Sequence, residues 1–117
     1  MNNCLQIKTH RLELLPCSLE VAQSTATKNQ LQVEQLLGVR VPDDWYKSEV
    51  LDFLPTYAQM LINDPSHLGW GVWLMINVDD ATLIGDLGFG GKPDEQGTVE
   101  LSWVMNCCRR IATKICF

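Results

Sequence analysis

Seven of the eight glycines fall between Gly69 and Gly97, set among β-branched and aromatic residues, and this segment constrains the fold more than any other. Leu68 to Val78, Thr82 to Phe89 and Thr98 to Met105 read as three strands bounded by turn residues. Asp79-Asp80 supplies a tight turn between the first two, and Gly90 to Gly97 a glycine-bounded loop between the second and third. Parallel neighbours need a crossover of about a dozen residues or more. Links this short therefore predict an antiparallel meander over 68–105, with Leu83 paired to the preceding strand.

The first half has a different period. Leu5-Gln6-Ile7-Lys8-Thr9-His10-Arg11-Leu12-Glu13-Leu14-Leu15-Pro16 alternates apolar and polar residues on either side of Thr9-His10-Arg11. It reads as one strand with an irregular middle, ended by Pro16. Ser18 stands at an N-cap position, and a helical stretch follows from Leu19 to Leu37 with Gly38 as its stop. Ser24, Thr25, Thr27 and Asn29 are poor helix formers and mark a break within it. After a loop at Pro42-Asp43-Asp44-Trp45, Ser48 can cap a second helix carrying Leu51, Leu54, Tyr57 and Leu61 at helical spacing. Pro55 should kink that helix or restart it, and Asn63-Asp64-Pro65 ends it. The order strand, two helices, three strands is an α+β arrangement.

At 117 residues, 46% hydrophobic and 20% charged, the chain has the composition of one globular domain. No apolar run approaches the roughly 20 residues of a membrane span. Met1-Asn2-Asn3-Cys4-Leu5 lacks the basic and apolar regions of a secretory signal, so the expected location is cytoplasmic. All 14 acids lie in residues 1–105, whereas 106–117 hold Arg109, Arg110 and Lys114 and no acid. An acidic body argues against a nucleic-acid partner. The basic end either meets an anion such as phosphate or is simply solvated. The five cysteines (Cys4, Cys17, Cys107, Cys108, Cys116) form no CxxC pair, and only His10 and His67 could assist in a zinc site, so reduced thiols and no metal are expected.

Three segments, in order, resemble the GCN5-related N-acetyltransferase superfamily, in particular its branch of ribosomal-protein N-terminal acetyltransferases. Ile7-Lys8-Thr9-His10-Arg11-Leu12-Glu13-Leu14 is similar to that branch's opening strand, Thr82-Leu83-Ile84-Gly85-Asp86-Leu87-Gly88-Phe89 to its third, and Gly97-Thr98-Val99-Glu100-Leu101-Ser102-Trp103 to its fourth. The resemblance implies the N-terminal half of that fold over residues 1–105. It also implies transfer of an acetyl group from acetyl-CoA to a primary amine, on a small molecule or a protein N-terminus, by direct attack of the amine on the thioester.

After the fourth strand the family carries a glycine-bearing loop at a helix N-terminus, whose amides hold the coenzyme A pyrophosphate. This chain has no glycine after Gly97; Asn106-Cys107-Cys108-Arg109-Arg110-Ile111-Ala112-Thr113-Lys114 stands there instead. Residues 106–117 thus read as an atypical basic tail in place of the phosphate loop, and the chain as a truncated form of the fold. The alternative is a non-catalytic remnant that self-associates, a homodimer formed through an exposed fourth-strand edge.

By the resemblance, Glu100 is the general base. Ser102, Trp103, Val104 and Met105 contact the cofactor through main-chain groups, and Arg109 and Arg110 stand in for the phosphate loop. The alternatives are an ordinary solvent-facing strand carboxylate for Glu100 and strand packing for 102–105. Asp86 is a second carboxylate that could face the acceptor. Strand alternation would place Trp70 and Trp73 on opposite faces, with at most one in the core.

Overall fold

A computed structural model of the chain describes residues 6–43, 45, 49–105 and 111–116, with residues 103–105 and 111–116 described through their backbone pairing alone. The meander forms as the short links require. Strands β1 (Ile7–Lys8), β2 (Leu12–Pro16), β3 (Val72–Asn77), β4 (Thr82–Phe89), β5 (Thr98–Met105) and β6 (Ile111–Cys116) make one antiparallel sheet in that spatial order. Leu83 pairs with Ile76, as expected, next to a register shift between Met75 and Ile76. Three helices, α1 (Leu19–Ala26), α2 (Gln30–Leu37) and α3 (Val50–Asn63), connect β2 to β3. The fold is α+β and carries the expected order of strand, helices and three strands.

Local chemistry sets the helix ends. The Ser18 hydroxyl accepts from the Val21 amide at 3.2 Å, and Gly38 closes α2 at φ 72°. The break between α1 and α2 falls at 27–29, where Asn29 caps the new helix through the Gln32 amide. Pro55 does not interrupt α3. It removes one amide from the helix ladder, and buried Val50 and Leu54 before it and Tyr57, Ala58 and Leu61 after it hold both halves to the same core.

The helices lie on one face of the sheet. Val21, Ala22, Val33, Leu54, Tyr57 and Leu61 bury against the alternate β3 residues Val72, Leu74 and Ile76 and against Leu83. One contact between layers is especially tight. The Tyr57 hydroxyl donates to the Cys17 carbonyl at 2.7 Å in a fully buried setting. The Tyr57 ring lies flat over Gly71, where an added Cβ would stand 2.1 Å from a ring carbon. Only glycine admits that approach.

Three expectations change. The first segment is a hairpin, because the Thr9 amide and hydroxyl both bond the Leu12 carbonyl and turn β1 back onto β2. The first meander strand begins at Val72; Pro65–His67 is a 3-10 turn and the chain bends again before β3. Residues 111–116, expected as part of a basic tail, form β6 and pair with β5 from Thr98↔Cys116 to Trp103↔Ile111. The open β5 edge expected from the sequence is therefore occupied over that stretch. The physical reason lies in the tail's composition: Ile111-Ala112-Thr113-Lys114-Ile115-Cys116 holds two β-branched isoleucines and a threonine and no proline or glycine, so it can complete the β5 ladder. Ser48 lies outside the described residues.

Candidate active-site cleft

Strand alternation decides which β4 and β5 residues face the helices. Pairing of Gly88 with Ser102 and of Asp86 with Val104 puts Asp86, Gly88, Gly90, Glu100 and Ser102 on the helix-side face. These residues, with Glu49, Val50 and Phe53 from the start of α3, line a cleft of about 390 Å³. Glu100 faces it, as its phase opposite to buried Val99 requires.

Gly90 stands beside Glu100 on the neighbouring strand end. Gly90 donates its amide to the Glu100 carbonyl at 2.8 Å, and a Cβ on Gly90 would lie 3.4 Å from the Glu100 Cβ and 3.6 Å from its Oε1. Among the described residues, no ion pair holds the Glu100 side chain. Asp86 lies four residues further along β4, roughly 13 Å of strand away, and is wholly buried. Glu100 stands at the accessible end of the cleft and Asp86 at its inner end. Of the two strand carboxylates, Glu100 rather than Asp86 is placed to exchange a proton with an incoming molecule and with water; exposed Glu49 lines the same cleft from the start of α3.

The loop joining β4 to β5 is fixed from both sides. Asp94 accepts from the Gln96 and Thr98 amides at 2.9 Å each. Lys92 meets Asp64 at 3.3 Å and the Ser66 hydroxyl, tying the loop to the turn after α3. Hydrogen bonds from the Ser66 hydroxyl and amide, with Lys92 beside them, lower the Asp64 carboxyl to about 2. Cys17 and Tyr57, beneath the cleft, titrate well above their ordinary values because burial disfavours their anions. Neither supplies an anion at neutral pH.

Of the expected site residues, Glu100 and Ser102 come together in this cleft. Trp103, Val104 and Met105 continue β5 from it. Their ladder with β4 runs to Met105, whereas pairing with β6 ends at Trp103↔Ile111. The outer edge of Val104 and Met105 thus has no ladder partner among the described residues. Arg109 and Arg110 lie outside the described residues. Glu49 and Phe53 escaped the sequence reading, since neither belongs to a motif and Phe53 is out of phase with the α3 core stripe.

The opposite face of the sheet carries a second depression, of about 550 Å³. Trp70 and Trp73 both line it with Leu14, Leu87, Phe89 and Leu101, and among the described residues no titratable side chain does. Their expected separation fails because Trp70 precedes β3, where strand alternation does not apply. Trp73 is buried and donates to the Gly69 carbonyl at 2.9 Å, while Trp70 meets Phe89 edge-on with ring centroids 5.5 Å apart.

Among the described residues, no three His, Cys, Asp or Glu side chains converge as a metal site, and no helix is long and apolar enough to cross a membrane. The chain is similar to a curated protein of Bacillus subtilis (strain 168), the "Uncharacterized N-acetyltransferase YjdG", with 26% identity over 104 residues. The match covers 89% of this chain and 61% of the relative's length. No protein-family model and no solved structure matches the chain.

Proposed function

We propose that this chain belongs to an N-acetyltransferase of the GCN5-related type, with the helix-side cleft as the acceptor site and acetyl-CoA as the donor. The observation that carries the reading is the position of Glu100, facing the cleft beside Gly90 on the strand whose pairing with β6, among the described residues, ends at Trp103. The similarity to an N-acetyltransferase supports it. So does the chemistry of the two edges. A carboxylate at the accessible end can take a proton from an ammonium group, directly or through water. Amide and carbonyl groups at Val104 and Met105 that have no ladder partner on that side among the described residues suit an extended amide-bearing arm such as pantetheine.

Acetyl-CoA, when bound, supplies an activated thioester. The chain's own residues then do three things. Glu100 accepts the proton that the ammonium sheds to free its lone pair; the nitrogen then bonds to the acetyl carbon, the carbon–sulfur bond breaks, and the nitrogen's second proton passes to the leaving thiolate to give the thiol. Main-chain groups at Val104 and Met105, beyond the Trp103 pairing with Ile111, orient the donor and offer an amide to the carbonyl oxygen. Val50, Phe53 and Val72 exclude water from the acceptor side.

Release of coenzyme A thiol, followed with a panel of primary amines, tests the reading. Glu100→Gln should lower kcat about 100-fold or more. Unchanged kcat in that variant would remove Glu100 from the mechanism.

A further inference from the structure

The cleft has two chemically different walls. Its acids lie at Glu49, Asp86 and Glu100, whereas Val50, Phe53 and Val72 give it a carbon face, and most of its surface is apolar. Phe53 is the exposed member of that face, 39% accessible on the first turns of α3. It is also held in place. One side of its ring stacks on Tyr57, with centroids 6.2 Å apart and planes at 30°. Tyr57 is in turn pinned by its bond to Cys17 and by its fit over Gly71. A half-exposed aromatic that stacks on a buried tyrosine and lines one cleft with carboxylates suits a carbon group attached to a cation.

We propose that Phe53 determines acceptor specificity, and that the acceptor is an amphipathic amine: a primary ammonium carried next to an aryl or branched apolar group. This rests on the acceptor reading of the cleft given above. A polyamine could set a further charge near Glu49 but would leave the accessible Phe53 ring uncovered, and any charge lying against Val50, Phe53 or Val72 would lose water there. An amine with one charge and one apolar group satisfies both walls.

Binding of phenethylamine, ethylamine and spermidine to the full chain, measured by calorimetry or ligand-observed NMR, tests this without requiring catalysis. Phenethylamine should bind about tenfold or more tighter than ethylamine, from burial of its ring, and tighter than spermidine. Phe53→Ala should bring the phenethylamine-to-ethylamine ratio down to about one, because ethylamine has no ring to lose. Phe53→Leu, which keeps packing on Tyr57, should retain only part of the preference, and it carries the test if the alanine variant does not fold. Equal binding of the two monoamines, tighter spermidine binding, a ratio unmoved by both substitutions, or no amine binding at all would each overturn the proposal. The two readings fail separately. Ring-selective binding without acetyl transfer to any amine sinks the acetyltransferase reading alone, whereas transfer to ethylamine and phenethylamine with equal kcat/KM sinks this one alone.

Discussion

Replacing Gly71 by alanine tests the contact that locks α3 onto the sheet. The added methyl would stand 2.1 and 2.5 Å from two ring carbons of Tyr57, a side chain with no exposure to solvent. The ring cannot retreat far, because its hydroxyl is committed to the Cys17 carbonyl at 2.7 Å. Forcing extra volume into a packed core costs about 1–3 kcal/mol. Pulling the hydroxyl off a buried carbonyl adds about 1–3 kcal/mol for groups left without partners. Gly71→Ala should therefore destabilise by about 2–6 kcal/mol, a large share of the roughly 5–15 kcal/mol that holds a domain folded. In urea, with a slope of about 1–3 kcal/mol per molar, the midpoint should fall by on the order of 1 M or more. Tyr57→Phe, which keeps the ring and loses only the hydrogen bond, should cost about 1–2 kcal/mol. In a Tyr57→Leu background the ring is gone, and the same Gly71→Ala change should cost less than about 1 kcal/mol, a non-additivity expected only of residues in direct contact. A Gly71→Ala protein within about 0.5 kcal/mol of the parent would refute the reasoning.

Other outcomes follow from the same structure. The Asp64 carboxyl, lowered to about 2, stabilises the fold above its ordinary value near 3.8, and that contribution is lost as pH falls through about 2; a carboxyl NMR titration with its midpoint near 3.8 would contradict the Ser66 and Lys92 contacts. Cys17 is fully buried with its thiol shifted upward, so iodoacetamide should leave it unmodified in the native protein and alkylate it in urea, as read by peptide mapping. Burial of Cys17 and Tyr57 as neutral groups also means stability that is full below their ordinary values, 9.0 and 10.0, and declines as pH rises beyond them; an alkaline stability profile that stays flat to pH 12 would be inconsistent with that burial. On the acetyltransferase reading, residues 106–110, which follow β5 in sequence, hold no glycine for a phosphate-cradling turn, so acetyl-CoA should bind about a thousandfold more weakly than to a protein with such a turn, the equivalent of two or three charge-assisted bonds; a dissociation constant in the low micromolar range at physiological salt would show that another phosphate site exists.

Sequence alone determined the elements that depend on neighbours along the chain. The glycine-bounded strands and their short links left only an antiparallel meander, Ser18 and Gly38 fixed helix ends, and the period of two placed Glu100 on the face opposite Val99. Each follows from local sterics and hydrogen bonding, which act over a few residues. Tertiary structure decided what depends on residues far apart in sequence. Glu49 and Phe53 become cleft residues only because α3 docks beside β4 and β5, and nothing around them in the chain signals it. Trp70 and Trp73 share one face because the backbone bends ahead of β3, which alternation could not foresee. Thr9 to Arg11 became a hairpin turn rather than a flaw in one strand, since pairing partners, not periodicity, distinguish the two. Residues 111–116 found a place as β6 because β5 offers a ladder to complete, and strand formation depends on the partner as much as on the strand itself.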